Sequence, residues 1–387
     1  MNFRIPLAKP EITEADREAV MEVLRTPYLS SGPKVQEFEQ GICDYTGSKY
    51  AVAVNSGTSA LQIAVRALRL EAGSEVILPS FTFSALLNVI LQEELTPKFV
   101  DIDAETYNTT PEMVAAAVTE KTRLVIAVHT FGVPVDVQSI RNILDGKIAR
   151  AGCARHTIYL IEDACEALGA QLGTRKAGTL GEAGLFALYP NKQITTGEGG
   201  MLVTSDERLA TQARSLRNQG RDAALNWQDH SEIGFSYRLS DINCALGISQ
   251  LKRIEAVIEK RQHLAEAYDR NLAGIHEIVR PRLTSDVGRI SWFVYPMRLA
   301  DHFTRNDRDR ICDSLASKGI ATGKYFAPLH RQPVLQRLNV QVWPLPNTEF
   351  VADRIICLPF FNEITTGEIG EVCSTLKDAI QSCCRKT

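Results

Sequence analysis

The stretch NKQITTGEGGMLVTSD, residues 191–206, sets one lysine, Lys192, ahead of three glycines within four positions and an apolar run. Lys192 so placed has three readings: a phosphate clamp, a covalent catalyst or an ordinary surface charge. Its flanks, GLFALYP before it and GGMLVTS after it, read as buried strands. Further upstream the same rhythm recurs. YAVAVNS is a strand followed by the helix GTSALQIAVRALRL, EVILPS a strand before FSALLNVILQ, PKFVDID a strand before PEMVAAAV, and RLVIAVH and TIYLIEDA are two more strands. Strands alternating with helices predict an α/β fold, a mainly parallel sheet with helices on both faces. In such sheets ligands sit beyond the carboxyl ends of the strands. Residues 55–58, 79–83, 162–166 and 189–192 all fall at such ends, so four segments point at one crevice.

The chain's 387 residues exceed what one core usually serves, which predicts a large domain with a smaller one. The pattern changes near residue 240. SDINCALGISQLKRIEAVIEKRQHLAEAYDRNLAG reads as one long helix, capped by Ser240 or Asp241 and closed by Gly274. After it come a strand SWFVYPMRL, a helix NDRDRICDSLASKG, a strand at IICLPF and a last helix TTGEIGEVCSTLKDAIQSCC. The expected division is residues 1–250 for the large domain and 251–387 for the linking helix and a small α+β domain.

A net charge of −3 argues against nucleic acid or an anionic membrane surface as partner. No run of 18 apolar residues predicts a membrane span, and the N-terminal stretch lacks the apolar core of a secretory leader. Nine cysteines without a C-x-x-C pair read as reduced and structural, with a cytoplasmic location and no metal site expected.

Several segments carry chemistry. NSGTSAL puts Gly57, Thr58 and Ser59 where a strand passes into a helix; free N–H groups there suit a phosphate, and an ordinary cap is the alternative. Neither the P-loop nor the G-x-G-x-x-G pattern is present. IYLIEDACEALGA places Asp163 at the end of a buried strand, where a carboxylate needs a partner. That partner is a protonated ring nitrogen of a cofactor or merely the next turn. Of Phe81 and Phe83 in PSFTFSAL, one could stack on a flat heterocycle, or both pack in the core. His129 either lines the crevice or is a satisfied strand-end histidine. A lysine, a buried aspartate, a phosphate cup and an aromatic together describe a pyridoxal 5′-phosphate site.

Ten segments in order carry a resemblance: YLSSGPKVQEFE (28–39), VNSGTSAL (54–61), PSFTFSA (79–85), VHTFGVPVD (128–136), EDACEALGA (162–170), YPNKQITTGEGG (189–200), LRNQGR (216–221), YRLSDINCALGISQL (237–251), APLH (327–330) and CLPFF (357–361). In these the chain resembles the DegT/DnrJ sugar aminotransferases, which have the aspartate aminotransferase fold, pyridoxal phosphate fold type I. The large domain would then hold a mainly parallel seven-stranded sheet.

The resemblance implies that Lys192 bonds the cofactor's aldehyde and later shuttles a proton. Asp163 would bond the pyridinium nitrogen, Phe83 stack on the ring, Gly57 and Thr58 hold the phosphate, and Glu166 lie near the phenolic oxygen. Three positions depart from the family pattern. Ala187 stands where Ser or Gly is usual, Glu166 where Gln is common, and Ser236 where Asn often reaches the partner subunit's phosphate. Glu166 is expected to be protonated or turned away from that oxygen. Tyr325, His330 and Arg217, the last with Arg221, are candidates for substrate contacts. Retention of Lys192 favours transamination over dehydration. The implied reaction moves an amino group from an amino-acid donor, L-glutamate, to a keto group of a nucleotide-linked deoxy sugar in polysaccharide or secondary-metabolite biosynthesis. The implied assembly is a homodimer with shared sites. A sugar dehydratase, a keto-cyclitol aminotransferase and a non-catalytic pyridoxal phosphate-binding regulator are the alternatives.

Overall fold

The computed structural model describes residues 3–150, 157–221, 229–338, 340 and 342–384, without the side chains of 147–150. Cys153 lies outside the described residues; the other eight cysteines are free thiols.

Helix α1 (Glu14–Leu24) starts on a capping box: the Thr13 hydroxyl accepts from Asp16 N–H, and the Asp16 carboxylate accepts from Thr13 N–H at 2.8 Å. Helix α2 (Pro33–Thr46) has Gly32 as its N-cap and so no side chain of its own to cap with. The cap comes from far along the chain. The buried Asp241 carboxylate accepts Gly32 N–H at 2.8 Å and Lys34 N–H at 2.9 Å.

Strands and helices then alternate: β1 (Tyr50–Val54), α3 (Gly57–Ala67), β2 (Glu75–Pro79), α4 (Ala85–Gln92), β3 (Thr96–Val100), α5 (Pro111–Ala117), β4 (Thr122–Val128), α6 (Val137–Arg150) and β5 (Tyr159–Asp163). A two-stranded ribbon, β6 (Gln171–Leu172) and β7 (Arg175–Lys176), precedes β8 (Ala183–Ala187), β9 (Gly200–Thr204) and α7 (Glu207–Arg217). The seven-stranded sheet has the order β1-β9-β8-β5-β4-β2-β3. Only β9 runs against its neighbours; the β8, β5, β4, β2 and β3 pairings are parallel. Side chains alternate across the sheet with period two. In β4, Leu124, Ile126 and Val128 pack with α3 and α4, while Val125 and Ala127 face α6. In β1, Val52 and Val54 join the first layer, and Ala51 and Ala53 face α2. Both faces are therefore covered, as the continuous apolar runs predict.

The single long helix expected from residue 240 is in fact two, α8 (Asp241–Leu251) and α9 (Ile254–Leu272). Arg253 leaves the helical conformation at φ −116°, ψ 12°, and its guanidinium is bonded to Glu11 O at 2.7 Å and the Asp16 carboxylate at 3.0 Å. Periodicity cannot register a two-residue interruption that keeps both apolar faces inward. Ser240 does cap α8, accepting Asn243 N–H at 3.2 Å, whereas Asp241 serves α2 instead.

The C-terminal part is α+β. Antiparallel strands β10 (Ile278–Val279), β11 (Tyr295–Leu299) and β12 (Ile355–Leu358) pack with α9, α10 (Arg305–Ser317) and α13 (Thr366–Cys384) around Tyr268, Trp292 and Tyr295. Two short helices, α11 (Pro333–Arg337) and α12 (Pro346–Ala352), lie between. Of the predicted strand SWFVYPMRL only β11 pairs as a strand. Residues 290–294 instead run back to the first unit, with Ser291 N–H on Gly132 O at 3.0 Å and Phe293 N–H on Phe131 O at 3.2 Å.

Removing the Asp241 carboxylate leaves two N–H groups at the start of α2 without their acceptor. Asp241→Ala is expected to cost about 2 kcal/mol in urea unfolding, with Asp241→Asn intermediate because one amide oxygen remains.

Candidate active site

Lys192 follows β8 on a tight turn, its own N–H bonded to Tyr189 O at 2.9 Å. Its side chain is 13% exposed, which removes the reading as a surface charge. The amine Nζ lies 3.6 Å from Glu166 Oε1 and 4.0 Å from the centroid of the Phe293 ring. The adjacent Gln193 is buried and donates through Nε2 to Glu166 O at 2.6 Å and Ser291 O at 2.9 Å. Gln193 thus braces two of the segments that surround the lysine.

Of the glycines that follow, Gly200 serves the turn at the start of α3. A Cβ on Gly200 would stand 2.3 Å from Ser56 O and 2.6 Å from Gly57 N, so β9 lies directly against that turn. A Cβ on Gly57 would meet Ala187 Cβ at 2.8 Å and Cys165 Sγ at 3.0 Å. Residues 56–58, 165, 187 and 200 therefore form one close-packed cup. Ser56 caps the helix through Ser59 N–H at 3.0 Å. The Gly57 and Thr58 N–H groups have no intrahelical acceptor by helix geometry, and Thr58 is exposed. Ala187 sits in the cup itself, where a serine would have added a hydroxyl.

Asp163 ends β5 and is 8% exposed. Its carboxylate receives Cys165 N–H at 3.0 Å, and no cation is ion-paired with it among the described residues. A buried carboxylate in that state suits a cationic ring N–H, and the open N–H groups of the cup suit a phosphate. On donor chemistry the residues fit pyridoxal phosphate. The neighbouring Glu162 and His129 are otherwise committed. Val135 N–H donates to His129 Nδ1 at 3.1 Å, so Nε2 carries the proton that faces Glu162 Oε2 at 3.1 Å. Burial pushes the Glu162 carboxyl up, but His129 and the Gly178 and Gly181 N–H groups outweigh it and hold it below the ordinary range. His129 is a satisfied strand-end histidine.

Glu166 is turned toward Lys192, and its Oε2 accepts Phe131 N–H at 2.9 Å. Burial pushes its carboxyl up, against the opposing pull of Lys192 and the Phe131 N–H. Phe81 is fully buried against Tyr107, Phe131 and Phe326, while Phe83 is 60% exposed and has a ring face to offer. Tyr325 stacks on Phe293 at 6.2 Å between centroids and bonds to the Asn191 side chain; burial pushes its phenol up to about 12. The Asn191 Oδ1 is buried with no partner among the described residues.

Three further candidates have partners of their own within the chain. His330 is buried, with Nδ1 on Ser80 Oγ at 2.7 Å and Nε2 on Glu349 Oε1 at 3.0 Å, so both ring nitrogens are engaged. Arg217 ties α7 to α2 and β1 through Glu39 at 2.6 Å and Ala53 O at 2.8 Å. It also lines a cavity of about 1110 Å³, together with Arg214, Arg221 and Arg238. Ser236 is exposed and accepts from Arg238 at 3.0 Å. None of the three is hydrogen-bonded or ion-paired to Lys192, Asp163 or Glu166. Sequence reasoning missed Asn191, Gln193 and Phe293. The first two flank the lysine in the opening stretch, and Phe293 lay hidden in an apparent strand.

Glu166 gives a pH prediction. Its folded pKa is raised above the ordinary value of about 4.3, so the folded chain holds the proton more tightly than the unfolded one. That contribution is present below about pH 4.3 and is lost as pH rises through the folded value. Relative to Glu166→Gln, the cofactor-free wild type is expected to lose unfolding free energy as pH rises above about 4.3. A pH-independent difference in urea unfolding would contradict this.

Comparison with known proteins identifies the family. Residues 10–377 match the model of the DegT/DnrJ/EryC1/StrS aminotransferase family. The chain is 33% identical to MJ1066 of Methanocaldococcus jannaschii over 389 aligned positions, 97% of each protein. Among solved structures it is similar to PseC of Helicobacter pylori, an aminotransferase involved in the biosynthesis of pseudoaminic acid, with TM-score 0.91, 26% identity and coverage of 99% and 100%. It is similar also to NtdA of Bacillus subtilis with bound cofactor PMP, with TM-score 0.84, 27% identity and coverage of 96% and 83%. The chain belongs to the DegT/DnrJ/EryC1/StrS aminotransferase family and is a transaminase.

Proposed function

We propose that this transaminase moves an amino group from L-glutamate to a keto group of a nucleotide-linked deoxy sugar, for polysaccharide or secondary-metabolite biosynthesis. Pyridoxal 5′-phosphate is its cofactor, and it is a sugar aminotransferase by family. One observation carries the reading: a buried lysine amine 3.6 Å from a carboxyl group and 4.0 Å from an aromatic ring, just past the end of β8, with a buried aspartate that no cation pairs at the end of β5.

Bound pyridoxal phosphate supplies an electron sink for the carbon that loses its proton and stores the nitrogen between the two half-reactions. This chain's residues do the rest. Lys192 holds the cofactor and, once displaced, takes and returns the proton at its Nζ. Asp163 keeps the ring nitrogen charged, the Gly57 and Thr58 N–H groups hold the phosphate, and Phe83 covers the ring. Glu166, protonated, donates to the phenolic oxygen rather than repelling it. The Tyr325 phenol, bonded to the Asn191 side chain, is the polar group offered to the substrate in this reading.

Residues 1–250 form the cofactor-binding domain and 251–387 the linking helix and smaller domain in this reading. The working unit is a cytoplasmic homodimer in which Ser236 reaches the phosphate held by the other subunit. Its support is the exposed position of Ser236 and an apolar face at Met21, Leu24, Tyr28 and Leu29, each 45–59% exposed.

Glutamate added to the yellow holoenzyme is expected to bleach the visible band and release one 2-oxoglutarate per site. The resulting form should aminate one member of a panel of nucleotide-linked keto sugars. Lys192→Ala should lose the band and at least about 10²-fold in turnover. A nitrogen-free deoxy product, or a band that no amino donor changes, would overturn the proposal.

A further inference from the structure

Helix α9 carries one buried charge with no place in the chemistry above. Arg261 is 3% exposed, and no carboxylate lies within ion-pair distance of it among the described residues. Burial pushes its guanidinium down to about 10, with Glu11 pulling the other way. Its Nη1 donates to Trp292 O and Phe293 O, both at 3.1 Å, while its Nε has no partner. A charge retained in an apolar interior without a counter-ion is costly, and a neutral side chain could fill the same space. The guanidinium directs its donor at two successive carbonyls, which points to a need to fix that segment. The next residue, Gln262, adds a second hold by accepting Trp292 Nε1–H at 2.7 Å.

The fixed segment leads straight to the lysine. Residues 291 and 293 donate to Gly132 O and Phe131 O, and Ser291 O accepts from Gln193, the neighbour of Lys192. Gly132, at φ +86°, has no room for a side chain, since a Cβ would stand 1.7 Å from Ser291 O. The outcome is the Phe293 ring 4.0 Å from Lys192 Nζ. An aromatic face at that distance favours a cationic nitrogen over a neutral one.

We propose that Arg261 is a positioning residue for Lys192: by holding the carbonyls of Trp292 and Phe293 it keeps the Phe293 ring against the lysine amine, and so makes α9 part of the support of the reacting nitrogen. The proposal rests on the reading that Lys192 carries the cofactor.

The test compares holoenzymes bearing Phe293→Leu, Arg261→Lys and both. Arg261→Lys keeps the charge and loses the paired carbonyl geometry. The readouts are the pH midpoint of the visible absorbance band and the thermal midpoint. Each single change is expected to lower the pH midpoint by about half a unit to one unit, from the size of a cation–π contact. The double variant should match Phe293→Leu alone, because Arg261 acts through that ring. An unmoved pH midpoint in Arg261→Lys with a lowered thermal midpoint would make the residue merely structural and overturn the proposal, as would additive shifts in the double variant. If Arg261→Lys does not fold, Arg261→Gln must show the same non-additivity with Phe293→Leu. Lys192→Ala separates the two levels. A band that survives it sinks the underlying reading, whereas a band lost there and unmoved in Arg261→Lys sinks only this inference.

Discussion

A lysine amine held out of water between a carboxyl group and an aromatic ring is the arrangement on which the rest of this structure depends. An amine at 13% side-chain exposure is largely shut off from water, and Glu166 and Phe293 stand against it from opposite parts of the chain. Glu166 comes from the turn after β5, whereas Phe293 comes from the segment that leaves the C-terminal unit. The lysine therefore sits where the two halves of the chain meet. Gln193 closes the arrangement, because one amide group bonds both Glu166 O and Ser291 O.

The second constraint is space at the start of α3. Gly57, Ala187, Cys165 and Gly200 approach so closely that any added carbon at either glycine collides. That closeness brings the carboxyl end of β8 alongside the helix N-terminus that supplies free N–H groups. It also explains why Ala187 is compatible with the fold although it withholds a hydroxyl from the cup. The reversed strand β9 belongs to the same economy of space: it inserts between β1 and β8 and backs the turn with a glycine.

Much of this was legible in the sequence, and for stated reasons. Apolar runs followed by amphipathic helices fix an α/β sheet with ligands at one end, and Lys192, Asp163, Glu166 and Gly57 fell at that end. What stayed hidden was whatever depends on partners distant in sequence. The choice between a crevice histidine and a satisfied one at position 129 required Val135 and Glu162. Asp241 read as a cap for its own helix and caps α2, some 200 residues away. The break at Arg253 leaves the hydrophobic period intact and so leaves no trace in it. Phe293 and Arg261 were invisible because a strand pattern and a helix pattern each absorbed them without remainder.

The central claim is that Lys192 bonds the cofactor covalently, and reduction with borohydride followed by peptide mapping tests it most directly. The account predicts a single pyridoxyl-labelled peptide that contains residue 192. A label on another lysine, or a cofactor released unreduced from the protein, would contradict it.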